Sequence, residues 1–393
     1  MTQSPLIFRK GLDRKREVAQ ALAESYHSDL VTHVKNAGFR FTAGRLRIQL
    51  AREFGFCYGV DRAVDYAYQA RTRFPDRPVY LTGEIIHNGH VNDQLRARGV
   101  QFLSDPDRSV DTLTSTDVVI LPAFGVTIEL LEKLVARGCT LVDPTCGSVL
   151  NVWKNVKRYA EDGYTSVIHG KFWHEETRAT ASQALNVGGG HYLIVLDRTQ
   201  ATDVCQYVRH GGDRAAFLAS FERSVSPGFD PDVHLQRLGC ANQTTMLSSE
   251  SLEIGEMFRE AMRDRYGDAG LETHFRTFDT ICSATQDRQD AVVALLADDA
   301  LGLMIVIGGY NSSNTFNLAR ICSEKLPTYH IADPTALVSA RTIRHQPIGR
   351  HVEVTTLDWL PAGPVAIGLT AGASTPDNLV GSVIGRLDAL ANL

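Results

Sequence analysis

The chain runs to 393 residues and 43.2 kDa, enough for two or three domains with cores of their own. It is 44% apolar and 22% charged with a net charge of −5. That is ordinary for a globular protein, and the negative balance argues against a nucleic-acid binder working by general phosphate neutralisation. Seven cysteines, an odd number, do not read as a disulfide framework and fit a reducing cytosol. No apolar run approaches the roughly 18–20 residues of a membrane span, and no signal-peptide core opens the chain. A cytoplasmic protein that binds no membrane is the expectation.

Residues 1–45 form a basic, mixed extension (Arg9, Lys10, Arg14, Lys15, Arg16) with a helical pattern from Lys15 to Asn36. Asp13, Glu17 and Glu24 interrupt what would be acid-poor in a transit peptide. From Leu46 onward β and α patterns alternate. Leu46–Phe54 is strand-like and Gly59–Arg73 an amphipathic helix; Val79–Leu81, Asp117–Leu121 and Thr140–Val142 are strands, and a helix starts at Ser148. Next come strand Ser166–Ile168, a helix from Glu175 and strand Tyr192–Leu196. The stretch His210–Asp232, with Pro227, Gly228, Pro231 and a double Gly, reads as an irregular insertion. Alternation resumes at Gln236, with a short β run Phe275–Phe278, a helix after Cys282, a buried strand Leu303–Ile307, strand Val365–Leu369 and a closing helix from Pro376. Repeated βα units predict parallel sheets covered on both faces by helices, an α/β fold. Ligands then sit beyond the carboxyl ends of the strands.

Those strand ends carry a repeated device. Leu46–Phe54 leads to Cys57 and a helix, Thr140–Val142 to Cys146 and a helix, and Phe275–Phe278 through Asp279, Thr280 and Ile281 to Cys282 and a helix. A helix N-terminus favours thiolate. Cys139, Cys205, Cys240 and Cys322 fall inside strand or helix patterns and read as buried, inert thiols. Three thiolates on separate units suit one metal centre with an open position: a 4Fe–4S cluster with one iron free, or a catalytic zinc. The plain alternative is that strand–helix junctions tolerate Cys.

Polar groups gather at the same junctions. Gly308-Gly309 followed by Asn311-Ser312-Ser313-Asn314 opens a helix, a seat for an anion on free N–H groups. His87 lies just before one helix, His174 and Glu176 at the start of another, Thr244 and Thr245 after a strand, and Ser374 before Pro376. No Lys or Arg occurs in the Asn311–Asn314 or Gly372–Ser374 loops. Such a set describes a diphosphate held by neutral donors and helix ends, with Glu176 as a proton source beside it.

The stretches FGFCYGVDRA, EIIHN, DPTC, HGKFWHEET, NQTT, TICSATQDRQDAV, GGYNSSNT and TAGASTPD, in this order from about Leu46 to the C-terminus, resemble those of the 4-hydroxy-3-methylbut-2-enyl diphosphate reductase (IspH/LytB) family. HGKFWHEET, PGFDPD and the N-terminal extension resemble its plant and cyanobacterial branch. The resemblance implies three similar α/β units arranged as a trefoil around a central iron–sulfur cluster. Residues 1–45 would be the extension, 46–145 the first unit, 146–278 the second with an insertion near 210–232, and 279–393 the third with a C-terminal return. It implies the last step of the non-mevalonate isoprenoid pathway, reductive dehydroxylation of the allylic diphosphate to isopentenyl and dimethylallyl diphosphate. Cys57, Cys146 and Cys282 would ligate a 4Fe–4S cluster with one open iron. His87, His174, Thr245, Ser312, Ser313, Asn314 and Ser374 would hold the substrate, with Glu176 delivering protons and Thr244 near the substrate hydroxyl. Many members have a His where this chain has Phe124, so that one diphosphate contact would be missing here.

No G-x-G-x-x-G fingerprint of a flavin or nicotinamide site opens a helix, so the resemblance implies an external ferredoxin or flavodoxin. Two other classes fit the residues alone: a zinc-dependent hydrolase of a phosphorylated small molecule, and a non-enzymatic iron–sulfur sensor or electron carrier. An iron–sulfur chromophore separates the first from the reductase, and tight diphosphate binding the second.

Overall fold

The computed structural model describes residues 6–278 and 280–392. The chain forms two compact units. The terminal unit comprises Ile7–Arg108, Thr116–Ile120 and Ser283–Leu393, and the middle unit Met1–Leu6, Ser109–Ser115 and Leu121–Cys282.

In the terminal unit a five-stranded sheet runs in the order Thr328–Ile331, Leu301–Ile307, Val365–Ala371, Leu46–Leu50, Arg40–Ala43. All neighbours are parallel except the last pair, an antiparallel hairpin. Period-two alternation sends Leu303, Ile305 and Ile307 to one face, against Val31 and Val34 of helix Asp29–Asn36 and Val380, Val383 and Leu387 of helix Asp377–Ala391. Met304 and Val306 face the other way, onto Val292 and Leu295 of helix Ser283–Leu295 and Leu318 and Cys322 of helix Ser313–Ser323. Both faces are therefore dry, as parallel strands require, and the carboxyl ends emerge together along one edge. A smaller parallel set joins Val118–Ile120, Val79–Leu81 and Gln101–Phe102.

From Ile7 onward the extension is an integral part of this unit. Its helical pattern breaks into Lys15–Tyr26 and Asp29–Asn36, because Ser28 turns extended and its Oγ accepts the Val31 N–H at 3.2 Å. Gln69 Oε1 accepts the N–H groups of Leu12 and Arg14 at 2.9 and 3.2 Å. The Tyr26 ring lies 5.6 Å from that of Phe56, and Asn378 Nδ2 donates to Ser25 O at 2.7 Å. A hairpin of Thr342–His345 and Val354–Leu357, with no counterpart in the sequence reading, also belongs here.

The middle unit is built on a parallel sheet ordered Phe275–Thr277, Leu238–Asn242, Thr165–His169, Tyr192–Val195. Val167, Leu193 and Val195 pack into one core and Ile168 and Ile194 into another. A Cβ on Gly239 would lie 2.5 Å from the ring of Tyr159, whose hydroxyl donates to Cys240 O at 2.9 Å. Ser248–His274 is two helical segments joined at Gly267, whose backbone is non-helical with φ +71° and ψ +171°.

The stretch read as irregular holds helices Arg214–Ser220 and Pro231–His234. Phe217, Phe221 and Phe229 from it enter the core, with the Phe217 ring 4.8 Å from those of both Tyr207 and Phe221. Among the described residues no helix is long and apolar enough to cross a membrane. Truncating a packed phenylalanine removes its burial and leaves a cavity. Phe217→Ala should cost about 3–5 kcal/mol in urea unfolding, whereas Leu252→Ala, at a side chain 61% exposed, should stay within about 0.5 kcal/mol of the parent.

Candidate functional site

The sequence-predicted residues fall into two clusters of strand-end loops, one in each unit. In the terminal unit the loops after Leu50, Leu81, Ile307 and Ala371 carry Cys57, His87, the Asn311–Asn314 segment and Ser374. Backbone bonds stitch them together: Gly55 N–H donates to Ala371 O at 3.2 Å, Cys57 N–H to Ala373 O at 3.1 Å and Gly372 N–H to Ile307 O at 3.0 Å. Close approach demands glycine, since a Cβ on Gly372 would sit 1.9 Å from Thr315 Oγ1 and one on Gly309 2.4 Å from His87 O. Burial holds His330 neutral, its pKa pushed down to about 4, so its Nε2–H donates to Gly308 O at 3.0 Å from beneath.

Ser312 caps helix Ser313–Ser323, accepting the Thr315 N–H at 3.3 Å. Asn314 Oδ1 accepts the Ala373 N–H at 2.8 Å. Asn314 Nδ2 is buried without a hydrogen-bond partner among the described residues, in a residue only 2% exposed. An unsatisfied buried donor costs about 1–3 kcal/mol, so an acceptor belongs there. Ser374 Oγ donates to His87 O at 3.2 Å. The His87 ring is held by Glu84, 2.9 Å from Nδ1, and Asn311 Nδ2 donates to the same carboxylate at 2.7 Å.

The middle-unit cluster gathers Cys146, His174, Glu176, Thr244, Thr245 and the approach to Cys282. Cys146 is the N-cap of helix Gly147–Glu161, and its N–H donates to Ala123 O at 2.9 Å. His174 caps helix Glu175–Leu185: its Nδ1 accepts the Glu176 N–H at 3.1 Å, which puts the proton of a neutral ring on Nε2. Of the two adjacent carboxylates, Glu175 is exposed and Glu176 buried. Glu176 Oε1 accepts the Thr244 N–H at 2.6 Å. Gln243, fully buried, accepts from Lys171 N–H at 3.2 Å and Thr177 Oγ1 at 3.1 Å and donates to Thr245 Oγ1 at 2.8 Å. Thr280 Oγ1 accepts the Asn242 N–H at 3.0 Å and donates to Asn242 Oδ1, fixing the chain two residues before Cys282. Asp279 lies outside the described residues. The Phe124 ring stands edge-on to His174, centroids 6.1 Å apart.

The seven thiols divide sharply. Cys57, Cys146 and Cys282 are half-buried, two as helix N-caps and the third immediately before helix Ser283–Leu295. Cys139, Cys205, Cys240 and Cys322 are buried. Burial pushes Cys205 and Cys322 up to about 12 and Cys240 further, which keeps them from acting as thiolates. Three accessible soft donors at positive helix ends fit iron–sulfur ligation.

Glu84, Gln243 and Thr280 were assigned no role from the sequence. Only Glu84 carried a signal, its three-residue offset from His87. Asn314→Asp keeps the acceptor for Ala373 N–H and loses the amide donor. Its affinity for inorganic diphosphate by calorimetry should fall at least tenfold, a charge-assisted bond being worth about 1.5–3 kcal/mol, with the circular dichroism spectrum unchanged.

The family model described as LytB protein matches residues 48–388. Relatives named 4-hydroxy-3-methylbut-2-enyl diphosphate reductase include those of Synechococcus sp. (strain WH7803), 46% identical over 98% of this chain and 95% of the relative, and Thermosynechococcus vestitus, 46% identical with the same coverage. A solved (E)-4-hydroxy-3-methyl-but-2-enyl diphosphate reductase, titled the terminal enzyme of the non-mevalonate pathway, is 27% identical, with a TM-score of 0.53 over 87% of this chain and 99% of that one. The Plasmodium falciparum structure titled E-1-hydroxy-2-methyl-but-2-enyl-4-diphosphate reductase is 21% identical and shares the fold, with a TM-score of 0.61 over 86% of this chain and 87% of that one. By sequence over nearly its whole length, the chain belongs to the LytB family of 4-hydroxy-3-methylbut-2-enyl diphosphate reductases.

Proposed function

We propose that this chain reductively removes the allylic hydroxyl of 4-hydroxy-3-methylbut-2-enyl diphosphate. Two electrons and two protons enter, the C–O bond breaks, and water leaves with isopentenyl or dimethylallyl diphosphate. The observation that carries the reading is the division of the thiols: the cysteines at helix starts are the half-buried ones, and the other four are buried. Cys57, Cys146 and Cys282 would hold the centre, read as a 4Fe–4S cluster with one iron lacking a protein ligand. When bound, that centre supplies electrons and a Lewis acid.

The chain's own residues do the rest. Ser312, Ser313, Asn314 and Ser374, with His87, His174 and Thr245, bind the diphosphate through neutral donors and the N-terminus of helix Ser313–Ser323. Anchoring that end fixes where the hydroxyl lies, a positioning effect. Glu176 delivers the proton that turns hydroxyl into water. Its carboxylate accepts the Thr244 N–H, which supports Thr244 as the group near the substrate hydroxyl. Burial of Glu176 excludes bulk water from the transfer. Electrons come from a ferredoxin or flavodoxin in the cytoplasm, a compartment in keeping with an odd count of seven cysteines.

Anaerobic turnover of the allylic diphosphate with an artificial one-electron donor tests the activity. Replacing Cys57, Cys146 or Cys282 by Ser should lower bound iron, while Cys205→Ser should retain it; full iron in Cys282→Ser would overturn the ligand set. Glu176→Gln should keep its iron and bind substrate yet turn over at least about a hundredfold more slowly. Glu175→Gln should match the parent, and the reverse outcome would move the proton donor to Glu175.

A further inference from the structure

Arg288 occupies the second turn of helix Ser283–Leu295 and is 5% exposed. Its guanidinium donates from Nε and Nη2 to Gly55 O at 3.1 and 2.7 Å, from Nη2 to Phe56 O at 3.1 Å and from Nη1 to Ala284 O at 2.8 Å. Every acceptor is a backbone carbonyl. Among the described residues it has no carboxylate partner. A buried cation satisfied only by carbonyl dipoles is a costly arrangement unless negative charge lies close by. The Phe56 carbonyl belongs to the peptide that joins Phe56 to Cys57, so the charge is aimed at the loop that presents that thiol. A side chain at Gly55, where φ is +76°, would be strained and would meet Asp377 Oδ1 and Thr375 O at 3.2 Å.

We propose that Arg288 is a positioning residue and the buried counter-charge of the Cys57 end of the iron–sulfur centre. The inference rests on the reading that Cys57 is a ligand. Thiolates and cluster together are anionic, and reduction adds a further negative charge. A fixed cation beside Cys57 therefore stabilises the reduced form more than the oxidised one and raises the reduction potential, since net charge and hydrogen bonding set that potential. Three of these hydrogen bonds hold the Gly55–Phe56 backbone so that the thiol keeps one direction, and the fourth, to Ala284 O, ties the guanidinium to its own helix.

The test is an anaerobic redox titration of the iron-loaded enzyme, followed by visible bleaching, for the parent, Arg288→Met and Arg288→Lys, with iron counted in each. Arg288→Met should hold full iron. At the parent's midpoint its oxidised-to-reduced ratio should rise at least tenfold, equivalent to about 59 mV for a one-electron couple. Arg288→Lys, which keeps the charge, should remain within about twofold of the parent. A parent-like midpoint in Arg288→Met with full iron overturns the proposal, as does an Arg288→Lys displaced as far as Arg288→Met. If Arg288→Met does not fold, Arg288→Lys decides alone: a parent-like midpoint supports the charge, and a tenfold displacement overturns it. Absence of iron from the parent would instead overturn the cluster reading, and is visible before any variant is made.

Discussion

A parallel strand delivers its chain to the sheet edge with backbone groups that its own turn cannot satisfy, and this chain meets the demand by lending side chains from one loop to the next. Asn314 takes the Ala373 N–H, Glu176 takes the Thr244 N–H and Gln243 takes that of Lys171. Each lost bond would leave a buried donor unsatisfied, at about 1–3 kcal/mol. The residues that would act on substrate are therefore also those that keep the loops in register. Pre-organisation and folding draw on the same hydrogen bonds, which is one way a site becomes rigid without extra elements.

The chemical character follows from what the loops omit. The Asn311–Asn314 and Gly372–Ser374 segments carry no cation, so an anion would be met by amides, hydroxyls and a helix end. Such donors have little desolvation cost of their own, and they keep the anion from being trapped by full charge neutralisation. Cation is placed elsewhere: Arg288 lies under the Cys57 loop, bonded only to carbonyls. Burial separates the thiols in the same way. The deeply packed cysteines have pKa values raised by desolvation, and those at helix starts are half-buried.

Much of this was legible in sequence. Strands Val79–Leu81 and Thr140–Val142 end where short apolar runs end, and Cys57 and Cys146 fall at N-caps as the strand–Cys–helix pattern requires. Ser312 caps its helix through its hydroxyl, whereas Pro376, expected at the start of the closing helix, stands just before it with no side-chain cap bond. Local signals failed where distant contacts decide. Arg288 meets Gly55 across 233 positions, Asn311 meets Glu84 across 227, and Glu176 meets Thr244 across 68; no periodicity encodes such pairs. The helical pattern Lys15–Asn36 looked continuous because Ser28 is a weak break inside a good amphipathic stripe. The segment 210–232 looked irregular because its Gly and Pro residues flank a helix of only seven residues; the core contacts of Phe217 within it and of Phe221 and Phe229 after it matter more than its length.

The antiparallel strand Arg40–Ala43 bears on how such a chain can be shortened. It occupies the last position of the five-stranded sheet, with Arg40 and Thr42 exposed and Gly44 turning it onto Leu46–Leu50. A chain begun at Leu46 would present that apolar strand with a row of unpaired backbone donors and acceptors, a template on which a second molecule can add. The charged, two-sided edge supplied by the extension blunts that template. Self-association, rather than loss of chemistry, is the first hazard of trimming the N-terminus back to Leu46.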